Sequence, residues 1–165
     1  MIEIEHRRDI DLCADTVWEE VRHFDRVLEW VPGGDQSSIR VQGEGVGAIR
    51  DIELSTQGYV QHRLIAHDND ERSFSYELTA GKPIGMQDYA VVATVTPIDD
   101  GHCTIRWAGR MTSDPTLDEA EIGHALEVAL GNMTTGIIAR LKGEVPDFSQ
   151  QPNEDWQLQQ DEHAS

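Results

Sequence analysis

The chain has 165 residues, 38% of them apolar, with 31 acidic side chains against 13 basic ones and a formal charge of −18. That length suits one domain with a sizeable core, and the acidity argues against nucleic acid and anionic membranes, which both attract clustered Lys and Arg. No apolar run approaches the roughly 20 residues of a spanning helix, so no membrane insertion is expected. The start, Met1-Ile2-Glu3-Ile4-Glu5, lacks the basic and apolar regions of a secretory signal, so the chain reads as cytoplasmic. Cys13 and Cys103 form no metal-ligand or C-x-x-C pattern and read as reduced thiols. Lys82 and Lys142 are the only lysines, a balance that matches proteins of saline habitats. Molar salt is then expected to raise the unfolding midpoint by screening carboxylate repulsion, which a melt at low and high salt checks.

Ile2 to Leu12 alternates as a strand, with Ile2, Ile4 and His6 on one face. Ala14, Val17, Trp18, Val21 and Phe24 follow at helical spacing, and a second short helix over Asp25 to Trp30 stops at Pro32-Gly33-Gly34. Ser38 to Gln42 and Ala48 to Leu54 read as a hairpin joined by the glycine cluster 43–47. Further strands are expected over Tyr59 to His67, Phe74 to Ala80, Tyr89 to Val95 and Cys103 to Met111. A long helix spans Leu117 to Gly143, with Thr116 and Glu119 as a capping box and an apolar stripe of Leu126, Leu130, Met133, Ile137 and Leu141. From Glu144 onward there are six acids and no Lys or Arg, so 144–165 reads as an acidic, mostly disordered tail behind a single domain at 1–143.

This order predicts an α+β fold, a curved antiparallel sheet wrapped around the C-terminal helix, with two short helices after the first strand and a cavity between sheet and helix. Several short motifs in this order carry a resemblance: Ala14-Asp15-Thr16-Val17-Trp18, Phe24-Asp25, Trp30-Val31-Pro32, Gly45 to Arg50, His62-Arg63-Leu64 before Asp68, Tyr76 and Tyr89. From Ile2 to about Gly143 the chain resembles the helix-grip superfamily of birch-pollen-allergen and START-like proteins (SRPBCC), and within it the polyketide cyclase/dehydrase-like group. The resemblance implies a hydrophobic or aromatic ligand between sheet and helix, either carried or sensed, or else cyclised or dehydrated. The stretch from Gly47 to Tyr89 also looks like the plant abscisic-acid receptors. His62 stands there for their pocket glutamate and Ser55-Thr56-Gln57-Gly58 for their gate loop, so hormone recognition is not implied.

Strand parity puts Arg50 with Ala48, Ile52 and Leu54, and His62 with Val60, Leu64 and Ala66. Tyr76, Tyr89 and Trp107 also fall on apolar faces. A few polar groups on an apolar wall is the pattern of a small-molecule site. Arg50 offers a fork for a carboxylate, phenolate or enolate, and His62 a proton shuttle, so these two are the candidate catalytic pair. Trp30, Tyr76, Leu78, Tyr89, Val91, Trp107, Met111 and Met133 are the candidate ligand-binding residues. The alternatives are an Arg50 paired with an acid across the sheet, a structural His62, and tyrosines that are ordinary core.

Other chemistry is poorly served. The glycine cluster precedes a strand rather than a helix, which removes the phosphate-loop reading. His62 and His67 fall on opposite strand faces, so no metal is expected, and no cofactor. Three functions remain: binding of a small hydrophobic or aromatic, polyketide- or lipid-like molecule; a polyketide cyclase, aromatase or dehydratase; or partner binding through an exposed Trp30-Val31-Pro32 mouth. The protein is expected to be a monomer or homodimer. An Arg50–His62 pair open to the cavity favours the enzyme, and both locked in salt bridges favours binding.

Overall fold

The computed structural model describes residues 1–148. Seven strands, β1 (Ile2–Ile10), β2 (Ser38–Gln42), β3 (Ile49–Leu54), β4 (Gly58–Asp68), β5 (Ser73–Ala80), β6 (Met86–Asp99) and β7 (His102–Ser113), form one antiparallel sheet in the order β1-β7-β6-β5-β4-β3-β2. Helix α1 spans Ala14–Val21 and helix α2 spans Glu119–Lys142. Each strand alternates because one sheet face packs against α2 while the other meets solvent. The core joins Ile4, Ile10, Val91, Ile105, Trp107 and Met111 from the sheet to Val17 and Val21 of α1 and to Ile122, Leu130 and Ile137 of α2.

The second short helix is present as a 3-10 helix, Phe24–Glu29, and two details are corrected: α1 ends at Val21, so Phe24 belongs to that 3-10 helix, and α2 starts later than expected. The cap of α2 is Asp118, whose Oδ1 accepts the N–H groups of Ala120 and Glu121. Thr116 is held instead by the Asp114 carboxylate, which takes both its N–H and its O–H, and this turn delays the helix by two residues. Of the tail, 144–148 carry no helix or strand and 149–165, with Trp156 and Leu158, lie outside the described residues.

A buried carboxylate ties the short N-terminal elements to α2. Glu20, 7% exposed, accepts the Trp30 indole N–H at 2.9 Å, Arg140 Nε–H at 3.0 Å and Arg26 Nη1–H at 3.4 Å. Arg140 also pairs with Glu29 at 3.3 Å. Glu20→Gln is expected to destabilise the protein by about 2 kcal/mol, since donors aimed at a carboxylate then meet an amide. Both arginines are part-exposed and regain some water, which caps the loss; urea unfolding checks it.

Candidate ligand site

Arg50 sits on β3, directly opposite His62 on β4. Opposed residues on neighbouring strands bring their side chains within reach of one another. Arg50 is 3% exposed, its Nε–H donates to His62 Nδ1 at 3.1 Å, and its Nη1–H donates to the Phe24 carbonyl at 2.8 Å. Its guanidinium lies 4.2 Å from the centre of the Phe24 ring and 4.6 Å from that of Tyr76, within cation–π range. Arg50 takes part in no ion pair among the described residues, so the reading of an acid across the sheet falls. Burial pushes its pKa down, an effect that Tyr76 and Tyr89 oppose.

The His62 ring lies 4.8 Å from that of Tyr76, tilted by 48°, and receives a proton donor on Nδ1, so its own ring hydrogen resides on Nε2. Burial first, and then the Arg50 charge, hold its pKa well below the usual range, and the imidazole is neutral. The unfolded chain binds a proton near pH 6.5 that the folded chain refuses. The stability this contributes is therefore complete above about pH 6.5 and is lost as pH falls below it, at about 1.4 kcal/mol per pH unit for this group. His6, shifted downward by burial and then by Arg8, adds in the same direction. Urea midpoints between about pH 5.5 and 7 are expected to fall more steeply in the wild type than in His62→Gln.

Tyr76 is 4% exposed and Tyr89 5% exposed, and their rings meet edge-on at 6.0 Å. The Tyr89 hydroxyl is buried without a hydrogen-bond partner. Burial first, and then Tyr76, raise its pKa well above the usual value. Trp107 donates its indole N–H to Thr134 Oγ1 of α2 at 3.1 Å and meets Phe74 edge-on.

The cavity between sheet and helix is bordered by Phe24, Trp30, Phe74, Tyr76 and Trp107, with Arg50 in its wall and Met133 of α2 above. It measures about 10 Å³, room for about one water molecule. The expected ligand-sized cavity is thus closed down by aromatic rings. Of the predicted site residues, Trp30, Arg50, Tyr76, Trp107 and Met133 border it, and His62 adjoins through Arg50. Leu78, Tyr89 and Met111 border a second hollow together with Glu77 and Asp88, and Val91 packs in the core. Trp30 is 2% exposed, so the Trp30-Val31-Pro32 mouth is not an exposed apolar patch: Glu20 draws the indole inward.

The opposite-face reading of His62 and His67 also fails. The pairing of β4 with β5 shifts between Leu64 and Ala66, so Leu64 faces Tyr76 and His67 faces Phe74. That bulge turns Ile65 and Ala66 outward and brings His67 to the inner face, 5.5 Å from Trp18. Among the described residues no group of three or more His, Cys, Asp or Glu is placed to hold a metal. Residue reading missed Glu20 and Gly136 as parts of this architecture and did not place Phe24 at the cavity. A signal existed for Glu20, which lies three residues after Val17 on the apolar face of α1.

A family model described as polyketide cyclase / dehydrase and lipid transport matches residues 1–145. The chain belongs to this family. Its members' helix-grip fold is the one seen here, a curved seven-stranded sheet closed on a C-terminal helix. Solved structures similar to the chain include XoxI from Bacillus cereus (TM-score 0.75, 15% identity, 86% of this chain and 96% of that one). Norcoclaurine synthase from Thalictrum flavum, solved with dopamine and hydroxybenzaldehyde, is also similar (TM-score 0.69, 19% identity, 88% and 89%). So is a protein from Nitrosospira multiformis (TM-score 0.68, 21% identity, 85% and 96%). At these identities the likeness speaks for the fold. No curated protein matches the chain. No helix among the described residues is long and apolar enough to cross a membrane.

Proposed function

We propose that this family member binds a small hydrophobic or aromatic molecule, polyketide- or lipid-like, between the sheet and α2. The observation that carries the reading is the aromatic enclosure itself: five rings around an internal cavity with one buried cation, Arg50, in its wall. Apolar walls with a single oriented polar group are how proteins hold small apolar ligands. The norcoclaurine synthase structure holds two aromatic compounds, which agrees with this chemistry. Arg22 and His23 also border the cavity and reach solvent, so its mouth lies at the end of α1. A ligand enters by displacing Phe24 and the 3-10 stretch behind it.

A second reading, cyclisation or dehydration, draws on the 3.1 Å contact of Arg50 with His62. In that reading Arg50 stabilises an enolate and His62 moves the proton. His62 must first be released, because Arg50 occupies Nδ1 and Nε2 carries the hydrogen. Binding therefore fits the resting geometry better.

Native mass spectrometry of protein purified from its own organism tests both. One intact hydrophobic compound at stoichiometric amount supports binding. Related compounds differing by a ring closure or by water, with conversion abolished in His62→Ala, support the enzyme. An empty protein that also fails to brighten a hydrophobic dye overturns both.

A further inference from the structure

Arg50 is the arginine this molecule buries most completely, and no acid among the described residues answers it. The His62 ring nitrogen and the Phe24 carbonyl that accept from it are both neutral. Eight of the other twelve cationic side chains, among them Arg26, Arg72 and Arg140, do reach carboxylates. Surface pairing was thus available to this fold and was not used at the one site closed to water. Arg50 borders the cavity between sheet and helix, with its guanidinium against the Phe24 and Tyr76 rings.

A buried charge without a counter-charge is unfavourable, and an anion beside it relieves that. We infer that the ligand carries an anionic oxygen, a carboxylate or phenolate on an apolar body, received by the Arg50 guanidinium. This rests on the ligand-binding reading above and narrows it. A neutral carbonyl would satisfy the hydrogen bonds and leave the charge unmatched. His62, held neutral, does not compete for the anion, and its ring keeps the guanidinium plane fixed through Nε.

The test pairs probes of one shape and two charges on the full chain at about pH 7.5, read by tryptophan fluorescence and calorimetry. 2-Naphthoate is expected to bind on the order of 100-fold more tightly than 2-naphthalenemethanol, because charge-assisted bonds in a dry site are the strong ones. Arg50→Met is expected to erase that preference. Arg50→Lys, which keeps the charge without the planar fork, is expected to retain part of that preference. In parallel, 4-nitrophenolate against 4-nitroanisole separates a phenolate ligand from a carboxylate one. Equal affinity of the wild type for charged and neutral probes of both kinds overturns the anion and leaves the apolar site standing. Binding of none of the four probes, with no dye response, overturns the site itself. Should Arg50→Met not fold, the wild-type pairs and Arg50→Lys decide.

Discussion

Gly136→Ala is expected to cost about 3 kcal/mol and to loosen the whole segment from Phe24 to Gly34. A Cβ on Gly136 would stand 1.9 Å from the Trp30 carbonyl oxygen and 2.6 Å from its carbon. Both neighbours are backbone, so no side chain can swing away, and α2 must part from the 3-10 stretch. Helix propensity alone predicts the reverse, a gain of about 1 kcal/mol on replacing glycine in a helix interior. The sign of the change therefore decides between the two accounts. Urea unfolding gives that sign, and a red shift of tryptophan emission would report Trp30 leaving its place against Glu20. A neutral or stabilised variant would mean that α2 does not approach Trp30 this closely.

Trp107→Ala is expected to have the largest effect of all, a loss of about 4 kcal/mol. Trp107 is 1% exposed, its indole bonds to Thr134, and its ring backs Phe74. The variant turns a cavity of about 10 Å³ into one with room for an aromatic ring. Indole in excess is expected to restore about 2 to 3 kcal/mol to the variant, at about 100-fold above its dissociation constant, and less to the wild type. Thermal shift with and without indole makes the comparison. Loss of stability without rescue would show that the aromatic wall collapses into the gap instead of holding it open.

Strand parity was enough to bring Arg50, His62, Tyr76, Tyr89 and Trp107 to the inner side, because one buried face forces apolar residues to alternate. It says nothing about depth along a strand. Tyr89 and Met111 share the face of Tyr76 yet border a different hollow. The size of the cavity was hidden for a related reason. It depends on how closely α2 approaches Trp30, a contact between residues about a hundred positions apart that hinges on a missing side chain at Gly136. The start of α2 was misplaced because Thr116 and Asp118 are both good caps, and only the turn built by Asp114 chooses between them. The bulge in β4 left no trace, since Ile65 and Ala66 are both apolar and suit either face.

That bulge makes β4 a strand with two phases. Before it, Val60, His62 and Leu64 point inward on one parity; after it, His67 points inward on the other. The first half supplies the acceptor for Arg50, and the second supplies a ring against Trp18 of α1. An unbroken alternation could supply one of these but not both. Length at this point is therefore as constrained as chemistry: Ile65 tolerates many side chains, but a one-residue deletion there would turn either the Arg50 end or the Trp18 end of the strand to solvent.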